Sequence, residues 1–76
     1  MRKYNDIEFM DMQHTRLRQA RIDAGIPQNK AWSQLDLPGI RDLRAYEWGA
    51  ETPDDKIFQK MSELYGRSVS WLKGEL

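Results

Sequence analysis

The chain contains no cysteine, a single histidine and, over its 76 residues, no excess of charge of either sign. Each absence removes a class of explanation. Without cysteine there is no disulfide framework to staple a small fold and no thiolate for catalysis. A metal site needs three or four donors at defined spacing, so His14 reads as a surface histidine at the start of the first helix, and no metal or cofactor is expected. There is no glycine-rich phosphate loop and no pair of carboxylates in an apolar setting, which leaves catalysis little to work with; an enzyme is not expected. No apolar run approaches the ~20 residues of a membrane span and no secretory core follows Arg2-Lys3, so the expectation is a soluble, cytoplasmic chain with no membrane partner.

What is present is helical periodicity. A chain this short makes one small domain, and its stability has to come from packed helices. Residues 1–13 form the least patterned part, because Tyr4, Ile7, Phe9, Met10 and Met12 fit neither a period of two nor one of 3.6. They are read as an N-terminal extension, partly ordered, with residues 14–76 as the folded domain. The first helix is expected over Thr15 to Ala24, with Leu17, Ala20 and Ala24 inward and Gly25 as its stop.

The stretch from Gly25 to Gly49 organises the rest. Pro27 suits the first turn of a second helix carrying Ala31, Trp32 and Leu35, with Trp32 as a core residue; Leu37-Pro38-Gly39 interrupts the pattern. Gly39 is then an acceptable N-cap for a third helix in which Leu43 and Tyr46 face inward. Helical geometry sends Ile40, Arg41, Arg44 and Ala45 outward. Gln28, Asn29 and Lys30 surround the start of the second helix, where a phosphate oxygen would be welcome. Two short helices joined by a tight turn, the second presenting arginines, make a helix-turn-helix proposal. Arginine pairs with guanine in bidentate fashion, and Ile40 or Ala45 can pack on a thymine methyl.

Thr52-Pro53-Asp54-Asp55 carries the clearest local start signal, read as a threonine cap, proline at the first helical position and acids in the first turn. Ile57, Phe58, Met61, Leu64 and Tyr65 follow as a core-facing stripe that Gly66 ends. Ser68 caps a last short helix with Val69, Trp71 and Leu72. Charge is polarised along the chain: from Thr15 to Tyr46 there are six bases and three acids, and from Glu47 onward four bases and six acids.

These residues together resemble the lambda-repressor-like helix-turn-helix family, the Cro/CI or XRE type, from about Arg16 to Gly74. The likeness rests on Arg16-Leu17-Arg18 with Arg21, Gly25-Ile26 with Gln28, Tyr46-Glu47-Trp48-Gly49, Pro53, Leu64-Tyr65-Gly66, and Ser68-Val69-Ser70-Trp71-Leu72 with Gly74. The last run resembles phage and prophage repressors in particular. The resemblance implies an all-α, compact five-helix bundle acting as a DNA-binding domain. It implies a phosphate contact for Gln28, an ion pair between Arg21 and Glu47, base-facing positions for Ile40, Arg41, Arg44 and Ala45, and a backbone contact near Trp48. Three departures stand out: Pro27 replaces a Ser, Thr or Asn cap, Trp32 occupies a position where the family has alanine, and the turn is one residue longer. The last two predict a wider crossing and a displaced recognition helix.

The resulting expectation is a repressor-like transcription regulator that binds a palindromic double-stranded DNA operator as a homodimer, with half-sites ~34 Å apart. Gln28, Asn29, Lys30, Gly39, Ile40, Arg41, Arg44, Ala45 and Trp48 form its candidate DNA surface. Two alternatives stay open. One is a scaffold that binds a protein partner, as an antirepressor or an inhibitor of a host factor; the other is a DNA-binding antitoxin.

Overall fold

In the computed structural model, residues 12–75 are described, and side chains from His14 onward. The expectation for residues 1–13 as a partly ordered extension therefore lies almost wholly outside the described residues. Five α-helices and no strand occur among them: α1 (Met12–Asp23), α2 (Gln28–Gln34), α3 (Ile40–Trp48), α4 (Asp55–Tyr65) and α5 (Val69–Leu72). Because α1 already includes Met12, it starts before Thr15, and a boundary at residue 14 would cut through it.

Most of the helices end by one repeated device. After α1, the Gly25 amide donates to the Ile22 carbonyl and Ile26 to Arg21; after α3, Gly49 donates to Tyr46 and Ala50 to Ala45. Both are the paired bonds of a Schellman stop, and both glycines have φ near +80° (75° and 86°), the left-handed region that glycine enters without penalty. The end of α2 has the same two bonds, Asp36 to Ser33 and Leu37 to Trp32, but the left-handed residue is Asp36 at φ 61°. So the chain reverses at Asp36, and not at Pro38-Gly39 as the dipeptide suggested. Gly39 is the N-cap of α3 in ordinary extended backbone, φ −171°. Asp36 is tolerated there because a short polar side chain accepts the left-handed conformation better than most, and it also receives Lys60 Nζ at 2.9 Å. Asp36→Val is expected to cost about 2 kcal/mol in urea unfolding, while Asp36→Gly trades strain relief against an exposed ion pair and comes out near neutral.

The starts of the helices require two corrections. Pro27 is itself the N-cap of α2, with extended φ −74° and ψ 157°, and not a residue of the first turn. At α4 the cap is Asp54, whose Oδ1 accepts from the Ile57 amide at 2.9 Å, and not Thr52. A carboxylate there satisfies a free amide and complements the helix dipole, which leaves Pro53 outside the helix and buried. Ser68 Oγ caps α5 on the Trp71 amide at 3.1 Å.

Packing centres on α1, which meets α3, α4 and α5, while α2 lies against α3. The core consists of Leu17, Ala20, Ala31, Leu35, Leu37, Leu43, Tyr46, Phe58, Met61, Tyr65 and Leu72. Two assignments change. Ala24 is exposed, and the third inward position of α1, one turn after Leu17, belongs to Arg21. On α2, Ala31 is fully buried where the helices meet, and Trp32 is only half-buried at the edge of the core. The small residue the close packing calls for is one position earlier than expected, so the bulky indole sits at the rim.

Candidate functional site

The site is built on the two sides of α3. On one side Leu43, Tyr46 and Glu47 are buried; on the other, Arg41, Arg44 and Trp48 are exposed, Trp48 to 82%. Ile40 and Ala45, expected outward with the arginines, are half-buried, on a helix of nine residues that packs against both α1 and α2. Gly39 is also half-buried, and Asn29 and Lys30 are exposed at the start of α2.

A chain of polar contacts joins the core to this surface. Arg21 on α1 clamps Glu47 in bidentate fashion, Nε to Oε2 at 2.6 Å and Nη2 to Oε1 at 3.0 Å, and donates from Nη1 to the Ile26 carbonyl at 3.0 Å. Glu47 Oε1 also accepts from Gln28 Nε2 at 3.1 Å, and Gln28 Oε1 accepts from Arg44 Nε at 3.4 Å. The residues singled out in the sequence as an ion pair thus form a single network with two of those singled out as DNA contacts, Gln28 and Arg44. Its effect is to fix the start of α2 against α3 through side chains on three helices. Gln28 is held in place from within, whatever it touches outside.

Beside that network lies an open cleft of ≈ 340 Å³ lined by Arg18, Gln28, Arg44, Glu47 and Trp48. Arg18 is not among the candidate DNA residues read from the sequence, since a charged residue on an amphipathic helix is usually just solvated. Its signal was its place one turn before Arg21, which puts both on the side of α1 that faces α3. Arg16, by contrast, is spent on the fold: its Nη1 donates to the Trp71 carbonyl at 3.0 Å and its guanidinium lies 4.9 Å from the Trp71 ring centre. Arg67 approaches the same ring at 4.1 Å.

His14 is half-buried and not a simple surface residue. Its ring packs over Gly49, the residue after Trp48, so closely that a Cβ on Gly49 would lie 2.5 Å from Nδ1. Among the described residues no group of three or more His, Cys, Asp or Glu is placed to hold a metal ion, and no helix is long and apolar enough to cross a membrane.

The buried hydroxyl of Tyr65 accepts and donates no hydrogen bond among the described residues. Burial pushes its pKa up, the nearby Glu47 carboxylate pushes the same way, and Arg21 opposes them. The folded protein therefore holds the phenolic proton to higher pH than the unfolded chain, whose tyrosines ionise near ~10. This contribution to stability is complete below that pH and is lost as pH rises above it. Tyr65→Phe is expected to be neutral or up to about 1 kcal/mol more stable at pH 7, since it removes an unpartnered buried group. Its urea midpoint should also fall less steeply above pH ~10. A loss of more than about 1 kcal/mol at neutral pH would instead reveal a hydrogen bond to the hydroxyl.

Comparison of the chain with protein-family models, with curated proteins and with solved structures gives no match.

Proposed function

We propose that this all-helical domain is a sequence-specific DNA-binding transcription regulator of the lambda-repressor-like helix-turn-helix type, repressor-like, and active as a homodimer on a palindromic operator. The observation that carries the reading is the exposure of Arg41 and Arg44 on α3 while the opposite side of that helix is held by the buried Arg21–Glu47 pair. A recognition helix needs this combination. Its reading side chains must be free to meet base edges, and its own position must be fixed to a fraction of an ångström. Arg18 and Lys30, exposed on the neighbouring helices, add positive charge suited to phosphates.

The proposal separates the arginines by role. If Arg41 or Arg44 reads a guanine, its replacement by alanine costs about 1–3 kcal/mol on the preferred site and relaxes the sequence preference at that base pair. Replacing Lys30 or Arg18 by alanine should weaken all sequences alike and lower the salt dependence by about one ion per contact. Titration of a preferred and a scrambled duplex with each variant checks this. Unchanged affinity and preference in both Arg41→Ala and Arg44→Ala would remove α3 as the reading element.

One observation favours a second reading. Trp48 is the most exposed large hydrophobic side chain among the described residues, and a tryptophan beside arginines is also the composition of a protein-binding hot spot. On that reading the scaffold engages a protein, and its binding would show little of the steep salt dependence of a duplex.

A further inference from the structure

The cleft beside the network has a composition that plain phosphate contact leaves unused. Arg18 and Arg44 both line it, and the Glu47 carboxylate in the same lining is already neutralised by Arg21. Its net charge is therefore positive, which suits an anion. Next to them is the Trp48 indole, 82% exposed, with a face open to stacking. The Gln28 amide, in the same lining, gives one N–H to Glu47 and receives one N–H from Arg44. An amide has two hydrogens and two lone pairs on oxygen, so Gln28 keeps one donor and one acceptor for a ligand. That remaining pair matches the alternating edge of an adenine. At ≈ 340 Å³ the cleft falls at the small end of the range of ligand sites.

From this we infer that the cleft is a site for a free adenine nucleoside monophosphate. The phosphate lies between Arg18 and Arg44, the base stacks on Trp48, and the edge of the base meets Gln28. Because Arg44 also belongs to the proposed DNA-reading face, nucleotide and operator exclude one another, which would make the domain responsive to nucleotide level. Only this exclusion rests on the DNA reading; the binding itself does not.

The test is titration of the full chain with adenosine monophosphate, adenosine and inorganic phosphate, followed by the Trp48 indole N–H resonance, assigned through Trp48→Phe. Saturable movement with the monophosphate is expected, with adenosine and phosphate each weaker by roughly tenfold or more. Arg18→Ala and Arg44→Ala should each weaken it by roughly tenfold. Arg44→Lys, which keeps the charge and loses the fork, should fall between. Arg18, Arg44 and Trp48 are all exposed, and unchanged dispersion of the amide spectrum shows that each variant folds. No saturable movement at millimolar nucleotide, or movement indifferent to both arginines, overturns the site. So does a single-stranded oligonucleotide that binds the cleft roughly tenfold more tightly than the mononucleotide, which would make it a strand site. Added nucleotide should then displace a bound operator duplex. If nucleotide binds and a duplex that also binds is not displaced, the shared use of Arg44 is wrong. If no duplex binds at all, the DNA reading fails while the nucleotide site stands.

Discussion

Glu47→Ala is expected to destabilise the domain by about 3–5 kcal/mol, the cost of leaving a buried charge without its partner. With Glu47 gone, Arg21 keeps only its bond to the Ile26 carbonyl at 3.0 Å in a position that water barely reaches. Gln28 loses its acceptor at the same time, so the start of α2 is held to α3 only by the longer contact from Arg44 Nε to Gln28 Oε1. A small domain has about 5–15 kcal/mol to lose, so this one change removes a large share of it and should lower the urea midpoint sharply. The pair is not irreplaceable as a source of stability. A double change to similar-sized apolar residues, Arg21→Met with Glu47→Leu, should recover much of the loss, because burying two charges carries its own desolvation penalty. What the double variant should not recover is the placement of Gln28 and Arg44. Urea unfolding of the single and double variants, with DNA titration of the double, separates stability from positioning; equal stability of Glu47→Ala and the parent chain would show that the clamp contributes nothing.

Gly49→Ala comes next, with an expected loss of about 2–3 kcal/mol. Two independent terms add. The residue has φ 86°, where a Cβ is strained in any surroundings, and the new methyl would lie 2.5 Å from Nδ1 and 2.7 Å from Cε1 of His14. The ring would have to swing away from a half-buried position, opening the seam between α1 and the end of α3. In His14→Ala the steric term vanishes, so the same glycine substitution in that background should cost only about 1 kcal/mol. A double-mutant cycle by thermal or urea unfolding measures the difference; identical costs in both backgrounds would mean that the ring moves freely. The contact matters for function because Trp48 immediately precedes this seam, and a loose seam leaves the indole without a fixed place.

Much of this architecture was legible from residue order. The stripe from Ile57 to Tyr65, the stops at Gly25, Gly49 and Gly66 and the cap at Ser68 are each set by local chemistry, so neighbours along the chain suffice to find them. What was not legible depends on partners distant in sequence or on a choice between adjacent residues of equal capacity. Thr52 and Asp54 can both cap α4, and only the position of the Ile57 amide decides for Asp54. Pro38-Gly39 is the louder turn signal, yet Asp36 makes the reversal because Leu37 has to return to the core from the end of α2. Ala31 and Trp32 are one step apart, and the close approach of α3 gives the inner position to the smaller residue. Arg21 fits an exposed position on α1 by pattern alone; its burial follows from Glu47, twenty-six residues away.

The candidate site was legible in its components and not in their connection. The period of α3 sends Ile40, Arg41, Arg44 and Ala45 outward, of which the two arginines are exposed and the other two half-buried, and Trp48, which came from the family resemblance, is exposed. That Gln28 joins Arg44 to the Arg21–Glu47 clamp depends on side-chain geometry between three helices, which no period encodes. Arg18 stands one turn before Arg21, which marks its side of α1 but not the cleft. Its place in the cleft is set by where α3 crosses α1.

The central claim is that α3 reads DNA sequence, and selection of bound duplexes from a random pool, followed by titration of the enriched sequence and a scrambled control over a range of salt, tests it most directly. The account predicts an enriched palindrome with half-sites about one helical turn apart. It also predicts a steep fall of affinity with salt, and a preference over the scrambled duplex that is lost with Arg41→Ala or Arg44→Ala. A pool that yields no enriched sequence, with binding no tighter than to the scrambled duplex at every salt concentration, would contradict it.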